Sequence, residues 1–257
     1  MNNNVKNRFC LCGDPVAHSL SPKLFAAAYQ RDDFCYELIP ASTPQEAICL
    51  FLEGGFGAMN VTAPLKSSIL PLTHGQTPEC KTIGACNLIL KQKNKLIAHN
   101  TDYLGVANAL YEASIPIKNV VCLLLGAGGA AKAAAYTLLK GGATLLWTNR
   151  TPAHIPHLFM EKTIVPIPLS EAIHILPATD IIINTLPQPV PDTEGFTFHS
   201  HQIVFDASYY IRHFEKQANQ AGAKYIGGER WLLHQAIPSF EVMTGMLPDI
   251  RAMELLL

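Results

Sequence analysis

The side chains of this sequence that could act on a small molecule fall into short polar clusters in its first half. Ser19 and Ser21 offer hydroxyls. Asn60, Thr62 and Lys66 bring an amide, a hydroxyl and an ammonium, Asn87 adds a second amide, and Asn100-Thr101-Asp102 ends on a carboxylate. Such a set suits a small ligand with several hydroxyls and a carboxylate, because amides and hydroxyls donate and accept while an ammonium pairs with negative charge. Each residue also has a plainer reading: Ser21 as a helix cap, Asn60 and Asn87 as turn residues, Lys66 as a surface cation. Their occurrence beside a nucleotide-type segment favours the functional reading.

That segment is Val120 to Arg150. An apolar run to Leu125 has the length of a buried strand. Gly126-Ala127-Gly128-Gly129-Ala130 follows, then Ala- and Leu-rich sequence to Leu139 with the composition of a helix, stopped by Gly141 and Gly142. Ala143 to Trp147 reads as a second strand. Strand, glycine turn, helix and strand form the first half of a dinucleotide-binding unit. Gly126 permits the tight turn, Gly128 lets a pyrophosphate approach the backbone, and Ala131 is small enough for close helix–strand packing. The helix N-terminus offers unpaired N–H groups to phosphate. An NAD site usually carries an acid at the end of the second strand; here stand Asn149, Arg150 and Thr151. A guanidinium suits a 2′-phosphate and argues for NADP, the alternative being a surface arginine.

The elements that position these groups alternate. Strands are expected at Phe9 to Cys12, Phe34 to Ile39 and Phe56 to Val61, with helices at about Lys23 to Gln30 and from Thr43-Pro44-Gln45-Glu46 to Gly54-Gly55. Ser21 reads as the cap before Pro22. Ala85 to Leu90 and Leu96 to His99 read as a hairpin. Asp102 then caps a helix to Ala113. Further strands are expected at Ile164-Val165, Asp180 to Asn184, Ile203 to Asp206 and Lys224 to Ile226. Helices are expected at Ile211 to Gln220, at about Arg230 to Glu241, broken at or just after Pro238, and at Pro248 to Leu256. The fold expectation is α/β: an N-terminal open mixed-sheet domain over residues 1–101, joined by C-terminal helices of about 229–257, and a C-terminal Rossmann-like doubly wound domain over 102–228.

The 257 residues are 49% apolar and 15% charged, with net charge −1. No basic field advertises nucleic acid, and no apolar stretch reaches membrane-spanning length. The polar Met1 to Arg8 lacks a signal core, so the expectation is a cytoplasmic chain. The low charge leaves room for a subunit interface, hence a homodimer. Seven cysteines without a CxxC pair read as buried thiols, and the histidine pairs His199/His201 and His154/His157 have no partners nearby, so no metal is expected.

Several motifs in order resemble the shikimate dehydrogenase family over nearly the whole length: Gly13-Asp14-Pro15 before His18-Ser19-Leu20-Ser21-Pro22, Asn60-Val61-Thr62-Ala63-Pro64-Leu65-Lys66, Gly84 to Asn87, Asn100 to Asp102, the glycine turn, Asn149-Arg150-Thr151, and Gly228 with Trp231 to Ala236. The resemblance implies an NADP-dependent oxidoreductase of aromatic amino-acid (chorismate) biosynthesis, acting on shikimate and 3-dehydroshikimate with NADP(H). It implies that Ser19, Ser21 and Tyr209 hold the ring carboxylate and that Asn60, Thr62, Asn87 and Gln235 bind ring hydroxyls. Lys66 and Asp102 would flank the reacting oxygen, Lys66 as proton donor and Asp102 orienting it. The chain departs from the family pattern in carrying His154 where a second basic residue is common, and Leu88, Ala58, Trp231, Thr185-Leu186-Pro187 and Tyr210 at other familiar positions. Two rivals are a relative preferring quinate or NAD, against which Arg150 argues, and a silent nucleotide sensor, against which the presence of Lys66 and Asp102 argues.

Overall fold

The computed structural model describes residues 7–31, 33–156, 164 and 166–257. The chain forms two compact units: Met1–Thr101 with Leu233–Leu257, and Asp102–Leu232.

The first unit is built on a mixed sheet. Its strands are β1 (Asn7–Gly13), β2 (Phe34–Pro40), β3 (Ala58–Val61), β4 (Gly75–Gln76), β5 (Leu88–Gln92) and β6 (Lys95–His99), ordered β2-β1-β3-β5-β6-β4. β1, β2 and β3 run parallel; β5 lies antiparallel to both β3 and β6, so the expected hairpin forms. The helices are α1 (Ser21–Tyr29), α2 (Pro44–Glu53), α3 (Leu65–Ser68) and α4 (Pro78–Ile83). β1 alternates as a strand buried on both faces must. Cys10 and Cys12 point into one core with Ala47, Phe51 and Leu65. On the other face Phe9 meets Phe34, and Phe25 of α1 stacks on Tyr36 and touches Phe240.

Sequence signals set the helix starts, with two corrections, at Ser21 and at Asp102, which is the first residue of the helix Asp102–Glu112 rather than its cap. Thr43 caps α2 by accepting from the Glu46 N–H, and Glu46 reaches back to the Ser42 N–H. Ser21 is not a cap: it is the first helical residue of α1. The hydroxyl that stabilises this start is Ser19's, which accepts from the Ser21 N–H at 3.2 Å.

The second unit is a six-stranded parallel sheet: β7 (Val121–Leu125), β8 (Thr144–Asn149), β9 (Pro166–Pro168), β10 (Ile181–Asn184), β11 (Ile203–Asp206) and β12 (Lys224–Ile226), ordered β12-β11-β10-β7-β8-β9. Counted from its own first strand this is 3-2-1-4-5-6, the doubly wound dinucleotide-binding order. Its helices are α5 (Asp102–Glu112), α6 (Gly129–Lys140), α7 (Ala172–Ile175) and α8 (Glu215–Gln220). Alternation again divides the strands between two cores. Cys122, Leu124, Ile181, Ile183 and Phe205 face α5 and α6, whereas Leu123, Leu125, Ile182 and Val204 face α7, α8 and Phe196, Phe198 and Phe214. The two-part α/β architecture expected from the sequence is therefore present.

Four elements differ from expectation. The strand expected at Ile164-Val165 lies at Pro166–Pro168, and Val165 is outside the described residues. The helix expected from Ile211 starts only at Glu215. The Ser208 hydroxyl accepts from the Tyr210 and Ile211 N–H groups and Asp206 accepts from the Phe214 N–H, so side chains hold the backbone of the loop that precedes this helix. Finally, α9 (Gly228–Thr244) runs unbroken through Pro238, and α10 (Ile250–Glu254) is shorter than expected, capped by Asp249.

Candidate active site

In the first unit, sheet topology gathers residues far apart in sequence. Asn60 is the penultimate residue of β3, Asn87 precedes β5, and Thr101 follows β6. Antiparallel pairing of β5 with both neighbours sets these strand ends side by side. The Asn60 amide donates to the Asn87 backbone carbonyl at 3.0 Å and to Ser239 Oγ at 3.4 Å, and its oxygen accepts from the Tyr36 hydroxyl at 2.8 Å. The Asn87 amide donates to Thr101 Oγ1 at 2.8 Å and to Gln235 Oε1 at 3.0 Å, and its oxygen accepts from the Thr101 N–H at 2.7 Å. Asn60, Asn87, Thr101 and Ser239 are all 5% exposed or less. Polar groups so buried are tolerated because each is hydrogen-bonded, which also fixes their orientation.

The remaining candidates sit around this cluster. Thr62 and Lys66 are half-buried on the segment from β3 into α3, whose backbone is tied to Asn87's neighbour by a 2.7 Å bond from the Cys86 N–H to the Lys66 carbonyl. Gly13 allows the loops after β1 and β3 to touch: a Cβ there would run into the Thr62 side chain and the Ala63 carbonyl. The Asp14 N–H also donates to that carbonyl. Ser19 and Ser21 form their own pair at the start of α1. Sequence reading named Asn60, Asn87 and Gln235, which the structure joins, but missed Tyr36 and Ser239. Both lie in otherwise apolar helix or strand patterns, and only their hydroxyls signal a polar environment.

In the second unit the chain leaves β7 at Gly126 (φ +103), where a Cβ would lie 2.6 Å from Thr185 Oγ1 at the end of β10. The turn thus sits between the strands at which the sheet order reverses, where nucleotides bind. Trp147 and Thr148 of β8 fix it. The Trp147 indole N–H donates to the Gly126 carbonyl at 2.6 Å, and the Gly126 N–H donates to the Thr148 carbonyl at 2.9 Å. Ala127 and Ala130 are half-buried. Gly128 is exposed and precedes α6, and a Cβ on it would meet nothing within 4 Å. The space a phosphate needs is therefore open, and the first N–H groups of a twelve-residue helix face it. Burial holds the Lys132 ammonium in the first turns of α6 below the usual lysine value. Asn149 donates to the Thr151 carbonyl at 2.9 Å, shaping the turn that displays the exposed Arg150.

Two further predicted residues lie in this unit. Asp102 is the first residue of α5 and is 4% exposed. Tyr209 is half-buried in the loop after β11. That loop is held by Asp206, which accepts from Asn184, Tyr225 and the Phe214 N–H at 2.9–3.1 Å, and by Arg212, which pairs with Glu215 and Glu229. Burial raises the Asp206 carboxyl and lowers His213, whose Nδ1 faces the Asn184 amide at 2.7 Å. Among the described residues no three His, Cys, Asp or Glu side chains group as metal ligands, and no helix is long and apolar enough to cross a membrane.

Comparison with known proteins agrees with this geometry. The model of the shikimate dehydrogenase substrate binding domain matches residues 11–89. The shikimate dehydrogenase (NADP(+)) of Methanothrix thermoacetophila is 34% identical over 258 residues, covering 96% of this chain and 94% of the relative. That of Staphylococcus epidermidis is 33% identical over 262 residues, covering 97% and 96%. The crystal structure of shikimate 5-dehydrogenase from Thermus thermophilus in complex with NADP(H) and shikimate superposes with a TM-score of 0.80 at 30% identity, over 96% of this chain and 97% of that one. With relatives of this identity aligned from end to end, and with both sheets and the polar motifs in place, the chain belongs to the shikimate dehydrogenase family.

Proposed function

We propose that the protein catalyses the reversible, NADPH-dependent reduction of 3-dehydroshikimate to shikimate, a step of aromatic amino-acid (chorismate) biosynthesis. The observation that carries this reading is the coexistence in one chain of the buried amide–hydroxyl cluster at Asn60, Asn87 and Thr101 and a parallel sheet whose glycine turn is open at Gly128. The first suits a polyhydroxylated ring and the second a pyrophosphate. Under it the first unit holds substrate and the second the dinucleotide.

The residues present fit NADP(H). Gly126 to Ala130 lead the chain into the α6 N-terminus, no acid stands at Asn149 to Thr151 to repel a 2′-phosphate, and Arg150 is exposed to pair with one. When bound, the dinucleotide supplies the hydride. The chain supplies the rest. Lys66 Nζ donates the proton taken up by the ketone oxygen, and its charge stabilises negative charge developing there. Asp102 orients the ammonium and accepts from a neighbouring ring hydroxyl. Ser19, Ser21 and Tyr209 donate to the ring carboxylate, and Asn60, Thr62, Asn87 and Gln235 grip ring hydroxyls. The protein works in the cytoplasm, and its low charge content fits a homodimer, which sedimentation velocity reads directly.

The test is a spectrophotometric assay of the purified protein with shikimate or quinate and with NADP+ or NAD+. Turnover is expected with shikimate and NADP+, well above each alternative pairing. No turnover of shikimate with either dinucleotide would overturn the assignment.

A further inference from the structure

We propose that Ser239 is a positioning residue of the substrate site: its hydroxyl closes a ring of buried hydrogen bonds that decides which edge of the Asn60 and Asn87 amides can meet a ligand. The proposal rests on the reading of Asn60 and Asn87 as substrate-binding groups.

The amide orientations follow from two backbone anchors. The Asn87 carbonyl can only accept, so the group facing it at 3.0 Å is the Asn60 NH2, and the Asn60 oxygen is left toward the Tyr36 hydroxyl. The Thr101 N–H can only donate, so the group facing it at 2.7 Å is the Asn87 oxygen, and the Asn87 NH2 is left toward Thr101 Oγ1 and Gln235 Oε1. Neither amide is free to flip. Ser239 joins the two halves. Its oxygen accepts from the Asn60 NH2 at 3.4 Å and lies 2.8 Å from Thr101 Oγ1. Asn60, Ser239, Thr101 and Asn87 thereby form a closed circuit, completed through the Asn87 backbone.

The distances rank the links. At 2.8 Å the Ser239–Thr101 contact is a full hydroxyl–hydroxyl bond, whereas 3.4 Å to Asn60 is at the long end. Ser239 therefore acts mainly through the Thr101 side chain on Asn87. Ser239 is also completely buried and stands four residues after Gln235 on α9, hence on the same helix face. One face of α9 thus supplies both a group for the ligand and the hydroxyl that orients the amide beside it. Sealed from solvent, Ser239 has no water to replace these bonds if its hydroxyl is lost.

The test is steady-state kinetics on the full chain for Ser239→Ala, Ser239→Thr and Thr101→Val, with thermal melts alongside. Ser239→Ala is expected to raise KM for shikimate about five- to tenfold, the scale of one buried hydrogen bond, while KM for NADP+ and kcat stay within about twofold. Ser239→Thr keeps the hydroxyl and recovers most of the loss. Should its extra methyl prevent folding, Thr101→Val carries the same information: it reproduces the shift, and the Ser239→Ala/Thr101→Val double variant is no worse than either single one. A folded Ser239→Ala protein with unchanged KM for shikimate, or with equal rises in both KM values, overturns the proposal while leaving the parent reaction standing. A wild type inactive on shikimate overturns both.

Discussion

Lys66 and Arg150 carry charges whose effects separate cleanly in kinetics. Lys66 leaves the half-buried α3 segment, and the proposed chemistry needs its proton. Lys66→Ala is expected to lower kcat by about two to four orders of magnitude, the usual worth of a positioned acid, while NADP+ binding measured by calorimetry persists. Unchanged turnover would remove Lys66 from the proton path. Arg150 is exposed beside a turn with no acid, so its contribution depends on a partner that only NADP carries. Arg150→Ala should raise KM for NADP+ about tenfold or more and leave KM for NAD+ nearly unchanged, in keeping with the loss of a charge-assisted phosphate contact. Equal rises for both would mean that Arg150 does not meet the 2′-phosphate.

At the scale of elements, the glycine turn is shaped by its neighbours as much as by its own sequence. Trp147 is fully buried in β8 and its indole N–H is the donor to the Gly126 carbonyl. Trp147→Phe keeps an aromatic ring but strands that carbonyl, so urea unfolding should report a loss of about 1–3 kcal/mol, the cost of a buried unsatisfied acceptor. No change in stability would mean that the carbonyl finds another donor. The loop after β11 works the same way: Asp206, Ser208 and Arg212 hold backbone and neighbouring charges, and this is why Tyr209 stands on a shaped loop rather than a helix.

Across the whole molecule, titratable groups the proposed chemistry does not use set the response to pH and to thiol reagents. Burial lowers both His99 and His213 below 6.5, and each has an Nε2 sealed from solvent without a hydrogen-bond partner. Between those lowered values and 6.5 the unfolded chain binds more protons than the folded one, so their stabilising contribution is complete above 6.5 and disappears as pH falls through the folded values. The melting temperature should therefore drop on acidification from about pH 7 to 5, and a His99→Gln/His213→Gln variant should show a flatter profile over that window. An identical slope would place the titration elsewhere. The seven thiols divide in the same way. Cys10, Cys12, Cys80, Cys86 and Cys122 are buried, and burial pushes Cys12 up to about 11 and Cys80 and Cys122 to about 12, whereas Cys35 is half-buried and Cys49 is exposed. An aromatic disulfide reagent should titrate Cys49 first in the native protein, with the buried thiols reacting only on unfolding.

Local chemistry made much of this protein readable before any coordinates. The Thr43–Glu46 cap, the Gly126 turn, the apolar run of β7 and the hairpin of β5 and β6 depend on residues close in sequence, where dihedral preference and period decide the outcome. The sequence also determined which polar residues were available to a ligand. It could not determine which of them meet. Asn60, Asn87, Thr101 and Ser239 are brought together by strand order and by the return of α9, and their roles as donor or acceptor are set by two backbone groups from other strands. The same holds where expectation failed: Ser21 gave way to Ser19 as the stabilising hydroxyl, α8 began only at Glu215 after a loop tied down by Asp206 and Ser208, and α9 ran on through Pro238. Propensity acts over a few residues, whereas hydrogen-bond satisfaction in a dry interior is settled only when distant segments have packed, and that belongs to tertiary structure alone.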